Sequence, residues 1–306
     1  MTALFYGLSD NGHTVLLAGF DAMLAAQQNK SEQEFDDIES KMDAQTRPQV
    51  YARGGALIGK MQTFGSQYTN NYYKLDETTN TAYIGFNKFE VDYEGWDAFY
   101  KGEAIEEPVQ SDTYAFVRKQ MYQAKEDGVE NLVIDLTTNT GGSSYALEGV
   151  VGLFNGGKSD FDINDCFNRY RVTEHHSIDI NLDGKFDELD VQEANSFNFN
   201  VGVLTSKASF SCGNLLPSTM KELGYKIMGE QSGGGSCAVS LETTADGICF
   251  VKSSYHCLSD AAGNNIDSGV PVDFAIVPTD TGSIPGYNDF FNFELVSNYL
   301  STAYNS

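Results

Sequence analysis

Two short apolar runs, NLVIDL at 131–136 and VGVLTS at 201–206, each give way through a turn to a helix-forming segment: SYALEGVVGLF after Gly142 in the first case, NLLPSTMKEL from Asn214 in the second. Runs this short and this rich in branched residues are buried strands, and strands alternating with amphipathic stretches pack as layered α/β units. The alternation extends both ways. TAYIGFNKF, from Thr81, has strand character, Asp112 to Glu126 has helical periodicity, KIMGE follows the second helix, and Val239 to Ile276 is β-rich. The pattern predicts an α/β core over 81–306 with a polar insert at about 155–200. Upstream, residues 15–65 have helical composition, and Ser31 and Glu34 are spaced as a capping box ahead of Phe35 and Ile38. Residues 1–80 are therefore expected to form a mainly helical N-terminal region.

Composition narrows the partners. With 306 residues, 41% of them hydrophobic, the chain can bury one elaborated core or two modest ones. Its 43 acidic residues against 19 basic ones give a net charge of −24, which repels phosphate backbones and anionic headgroups, so nucleic acid and membrane surfaces are not expected partners. There is no run of about 18 apolar residues to span a bilayer. The opening residues MTALFYGLSDNGHTVLLAGF lack the basic start, apolar stretch and small-residue cleavage site of a signal peptide, and the natural N-terminus is expected to lie further upstream. Cys166, Cys212, Cys237, Cys249 and Cys257 show neither CxxC pairs nor metal-finger spacing and are read as buried thiols, with a bridge from Cys237 to Cys257 or to Cys249 left open.

Ser211 falls between the strand at 201–206 and the helix that follows. An oxyanion formed there would meet the free N–H groups and positive end of that helix, although an N-capping serine would sit in the same place. The other strand ends in TTNTGGSS, where glycines let the backbone approach a ligand and turn an N–H toward it, as an oxyanion hole requires.

Taken in order, D-L-x-x-N-x-G-G (Asp135, Leu136, Asn139, Gly141, Gly142), V-L-T-S-x-x-S-F-S-C-G-N, G-E-x-x-G-G-G (Gly229, Glu230, Gly233 to Gly235) and S-G-V-P-V-D (Ser268 to Asp273) resemble the tail-specific, or C-terminal processing, serine peptidases from about Thr81 to Ile276. The resemblance implies a clpP/crotonase-like spiral of ββα units, Ser211 as nucleophile, and the N–H groups of Cys212 and of Gly141 or Gly142 as oxyanion hole. It implies a peptide or unfolded protein tail as substrate and no cofactor for catalysis. Two departures stand out. Where the best-known members place a catalytic lysine this chain has Gly235 followed by Ser236, and the usual PDZ module has no counterpart.

A serine hydroxyl needs a neighbouring base. His13, in L-S-D-N-G-H-T, is similar to the histidine segment near the start of tricorn-like members, which implies a Ser211/His13 pair; His256 is the reserve, while His175 and His176 lie in the polar insert and are expected to be solvated. The acid that would hold the histidine is, by the same resemblance, Asp267, with Glu230 as the alternative.

DINLDGKFDELD, residues 179–190, fits a twelve-residue EF-hand loop. Oxygen donors fall at Asp179, Asn181, Asp183, Asp187 and Asp190, Lys185 offers its carbonyl, and Gly184 makes the turn. Aspartate rather than glutamate at the last position shortens the bidentate reach. A structural calcium pinning the insert is expected, and with it an extracytoplasmic protein. Two other functions compete with the peptidase: an inactive relative that binds peptide or hydrophobic ligands, as the related retinoid-binding modules do, and a calcium-dependent adhesion module.

Overall fold

The structure is a computed structural model describing residues 70–305, other than 166, 246–248, 277–278, 281–284, 287–289 and 291, together with residues 15, 16 and 59. Strands β1 (Val15–Leu16), β2 (Tyr72–Asp76), β3 (Thr81–Gly85), β4 (Asn131–Asp135), β5 (Lys158–Asp165), β6 (Tyr170–Ser177), β7 (Asn200–Thr205), β8 (Lys226–Gly229), β9 (Cys237–Thr243), β10 (Cys249–Leu258) and β11 (Phe274–Ala275) form two sheets. Helices α1 (Tyr93–Tyr100), α2 (Thr113–Glu126), α3 (Ser144–Phe154), α4 (Glu188–Asn195), α5 (Cys212–Glu222) and α6 (Phe293–Asn305) lie between and after them.

The larger sheet has the order β11-β8-β7-β4-β3-β2 and is parallel except where β2 meets β3. Every residue of β4 is buried, as a central parallel strand covered on both faces must be. The two-residue period then sorts its side chains. Leu132 and Ile134 join the cluster formed with Val117 and Met121 of α2, Val150 of α3 and Leu216 of α5; Val133 faces the other way, toward Val296 and Leu300 of α6. Each such fully buried aliphatic side chain contributes about 1.5–3 kcal/mol. The expected layered α/β architecture is present.

The sheet starts at Tyr72 rather than Thr81, because Tyr72–Asp76 pairs antiparallel with Thr81–Gly85. The expected helical region otherwise lies outside the described residues, apart from residue 59 and the short strand Val15–Leu16, which pairs with β10. The polar insert is ordered as the β5–β6 hairpin and α4, and the hairpin belongs to a second, antiparallel sheet with β9 and β10. His175 is exposed there, but His176 is not solvated as expected: it is half-buried, with Nδ1 3.4 Å from Glu148 of α3. Among the described residues no helix is long and apolar enough to cross a membrane.

Candidate active site

The carboxyl ends of β4, β7 and β8 lie side by side, and the loops that leave them are laced together; in open parallel sheets ligands bind at this edge. The Ser206 hydroxyl donates to the Thr137 carbonyl (2.6 Å) and the Ser209 hydroxyl to the Leu136 carbonyl (2.7 Å), tying the β7 loop to the β4 loop. The Phe210 N–H donates to the Asn139 carbonyl (3.0 Å), and the Ser211 N–H to the Gly234 carbonyl (3.0 Å) in the loop after β8. Ser211 is thereby gripped on both sides.

Of the three serines in the S-x-x-S-x-S run, Ser206 and Ser209 are wholly buried and spend their hydroxyls on backbone carbonyls. Ser211 differs. It is partly exposed, stands at the N-cap of α5 without its side chain capping the helix, and has φ 55°, ψ −121°. An L-residue in that region costs on the order of 1–3 kcal/mol unless its surroundings enforce it. The enforcement is visible in the Gly234 carbonyl behind its N–H and in the Asn214 and Leu215 N–H groups that bond its own carbonyl at 2.8 and 2.9 Å. A merely N-capping serine would have extended backbone and a bonded hydroxyl.

Gly141 stands against this serine. A Cβ at Gly141 would come 2.6 Å from Ser211 Cβ and 3.1 Å from Ser211 Oγ, and φ is +106°. The Gly141 N–H is already donated to Asn139 Oδ1 (2.9 Å), whereas the Phe89–Gly142 bridge uses the Gly141 carbonyl and the Ser143 N–H. The Gly142 N–H is left outside that ladder. On the facing side the Cys212 thiol donates to the Gly142 carbonyl at 3.2 Å. Burial pushes that thiol up to about 12, so it stays protonated at neutral pH.

Two positioning residues were quoted in the sequence motifs without a role. Asn139, fully buried, donates its amide to the Phe86 carbonyl (3.1 Å) and accepts from the Gly141 N–H. Asn214, also fully buried, donates to the Ile266 carbonyl (3.1 Å) and accepts from Ser232 Oγ (2.7 Å). Only the density of Asn, Gly and Ser in these loops could have signalled them. Asn139→Ala strands two buried backbone groups and is expected to cost about 2–4 kcal/mol in a urea titration. At the end of β4, Asp135 is buried and accepts from Tyr72 Oη and from the Thr137 N–H and hydroxyl; burial holds its carboxyl above the usual range, which suits a structural role.

The proposed acids are both engaged with neighbouring loops. Asp267 Oδ1 accepts from the Ser236 N–H (2.7 Å) and hydroxyl (3.0 Å), beside Gly234. Glu230 Oε2 accepts from the Lys207 N–H (3.1 Å) at the start of the serine loop. His13 lies outside the described residues. His256 stands on β10 with Nε2 3.6 Å from Asp165, in the second sheet.

In the 179–190 loop Gly184 has φ +79° and donates its N–H to Asp179 Oδ2 (2.8 Å), an oxygen that Tyr100 Oη also reaches. Asp190 is turned back onto the Ile180, Asn181 and Asp187 amides, the last as part of a capping box that starts α4. Among the described residues no three His, Cys, Asp or Glu side chains converge as a metal cage. The donor set is that of a hard oxygen-loving cation, but Asp190 would have to release its amides to complete it. Next to this loop a cleft of about 360 Å³ is lined by Trp96, Tyr100, Tyr114, Tyr145 and Phe186.

The sequence of peptidase family S41 matches residues 80–276. The chain belongs to that family. Among solved structures, a peptidase from Parabacteroides merdae is similar over 92% of this chain and 88% of its own, with a TM-score of 0.54 and 16% identity. An S41 protease from Bacteroides fragilis is similar over 78% of this chain and 58% of its own, with a TM-score of 0.50 and 14% identity. The photosystem II D1 C-terminal processing protease gives 19% identity and a TM-score of 0.44, and the chain spans 44% of it. At these identities the likeness concerns the fold. No curated protein matches the chain.

Proposed function

We propose that this S41 member is a serine peptidase in which Ser211 attacks the scissile carbonyl and forms an acyl-enzyme. The observation that carries the reading is Ser211 itself: a partly exposed serine at a helix start, in strained backbone, whose hydroxyl does not cap the helix. The tetrahedral oxyanion would be held by the N–H groups of Gly142 and Cys212, since the Gly141 N–H is committed to Asn139. His13 would take the Ser211 proton and return it to the leaving amine, and water would then release the acyl group. Asp267 is favoured over Glu230 as the acid because it packs on the 234–236 segment that backs Ser211. Peptides or unfolded protein tails are the substrates.

A fluorophosphonate probe tests this. Labelling of the wild type, and of neither Ser211→Ala nor His13→Ala, is expected; an unlabelled wild type would favour the rival reading as a binding module for hydrophobic ligands, for which the aromatic cleft beside α3 speaks.

The 179–190 loop is proposed to take a structural calcium, with Asp179, Asn181, Asp183, Asp187 and Asp190 and the Lys185 carbonyl as ligands, in an extracytoplasmic protein. Millimolar calcium should stabilise the fold, by about 2.7 kcal/mol at a hundredfold excess over Kd, and so raise the melting temperature by a few degrees. The rise should vanish in Asp179→Ala; an unchanged wild-type melting temperature would remove the ion.

A further inference from the structure

We infer that Cys237 and Cys257 are a disulfide-forming pair that fixes the loop behind Ser211. The structure holds them as thiols, directly opposite each other on antiparallel β9 and β10, with sulfurs 2.8 Å apart. The Leu258 N–H donates to the Ser236 carbonyl, the two residues flanking the pair (2.9 Å), which makes this a non-hydrogen-bonded site. At such sites Cα atoms lie about 4.5 Å apart and side chains are closest, inside the span a disulfide bridges. Cys249 cannot compete for Cys237, because it sits at the far end of the ribbon opposite Thr243.

The position gives the bond a consequence. Between Ser253 and Cys257 the ribbon register shifts, so the regular ladder is broken before the Cys237 end, where the Leu258–Ser236 bond takes it up again. That end runs directly into Ser236, bonded to Asp267, and Gly234, whose carbonyl takes the Ser211 N–H. A covalent bond from Cys237 to β10 anchors this wall.

Chemically, Cys237 is the partly exposed member and Cys257 the buried one. The Cys237 thiolate attacks a small-molecule disulfide, expelling one of its thiols and leaving a mixed disulfide. Cys257 then attacks the Cys237 sulfur and expels the second thiol. Two protons leave the cysteines and two electrons reduce the reagent to two thiols.

The full chain is incubated with oxidised or reduced glutathione, denatured, alkylated with iodoacetamide and digested without reduction. The expected product is a Cys237 peptide joined to a Cys257 peptide, lighter by two hydrogens than the two thiol peptides together. In Cys257→Ser, which lacks the resolving thiol, Cys237 should accumulate as a glutathione adduct. Oxidised wild type should melt roughly 5 °C above reduced wild type, and the gap should close in Cys237→Ser. Recovery of both cysteines alkylated after oxidation, or linkage of Cys237 to Cys249, would overturn the pair. A linked protein with an unchanged melting temperature would overturn the anchoring.

Discussion

Ser211→Ala is expected to lower peptide hydrolysis by roughly 10³–10⁶-fold, as removal of a nucleophile does elsewhere, and to leave the urea midpoint unchanged. The unchanged stability follows from one observation. The Ser211 hydroxyl makes no capping bond to α5 and its hydrogen bond is to the adjacent Cys212, so deleting it breaks no bond that starts the helix. Ser206→Ala and Ser209→Ala should show the opposite pattern. Their hydroxyls satisfy the buried Thr137 and Leu136 carbonyls, and each loss should cost about 1–3 kcal/mol of stability. Ser211→Gly separates strain from chemistry, since glycine accepts φ 55° without a side-chain penalty. It should be inactive like the alanine variant and more stable by about 1 kcal/mol. If Ser211→Ala retained hydrolysis while Ser209→Ala lost it without unfolding, the nucleophile would have been placed two residues too late.

The α/β layering was legible because Leu132, Val133 and Ile134 are apolar on both faces of β4, and only a strand covered twice needs that. Ser211 was legible as a position, between a strand and a helix start. Its backbone conformation was not, because nothing in Phe210-Ser211-Cys212 prefers positive φ; the conformation is imposed by the first turn of α5 together with the Gly234 carbonyl, which comes from the loop after β8. The choice between Gly141 and Gly142 was equally closed to sequence. It turns on whether the Asn139 side chain folds back onto the Gly141 N–H, a contact two residues long that becomes fixed when Phe86 arrives from β3. His176 was misjudged for a related reason. Its neighbours in sequence are polar, but Glu148, which it approaches, comes from α3.

Gly141→Ala and Gly142→Ala should fail in different ways. At Gly142 an added Cβ would strike the backbone carbonyl of Phe89, and φ is +137°. Phe89 cannot retreat, because its N–H and carbonyl hold Gly141 and Ser143 at 2.8 Å each. Gly142→Ala is therefore expected to lose about 2–4 kcal/mol of stability, with backbone strain and overpacking adding. At Gly141 the nearest atom is Ser211 Cβ at 2.6 Å, with the Phe210 carbonyl oxygen at 2.9 Å. Relief there means pushing the proposed nucleophile away from the Gly142 and Cys212 amides, and a misplacement of about 1 Å costs on the order of 10²-fold in rate. Gly141→Ala should therefore reduce fluorophosphonate labelling about a hundredfold while unfolding closer to the wild-type midpoint than Gly142→Ala does. The proposed oxyanion hole depends on that contrast. A Gly141→Ala protein that labels at the wild-type rate would mean that Ser211 Oγ reacts from a position the Gly141–Gly142 turn does not border, and the oxyanion donors would have to be sought on another loop.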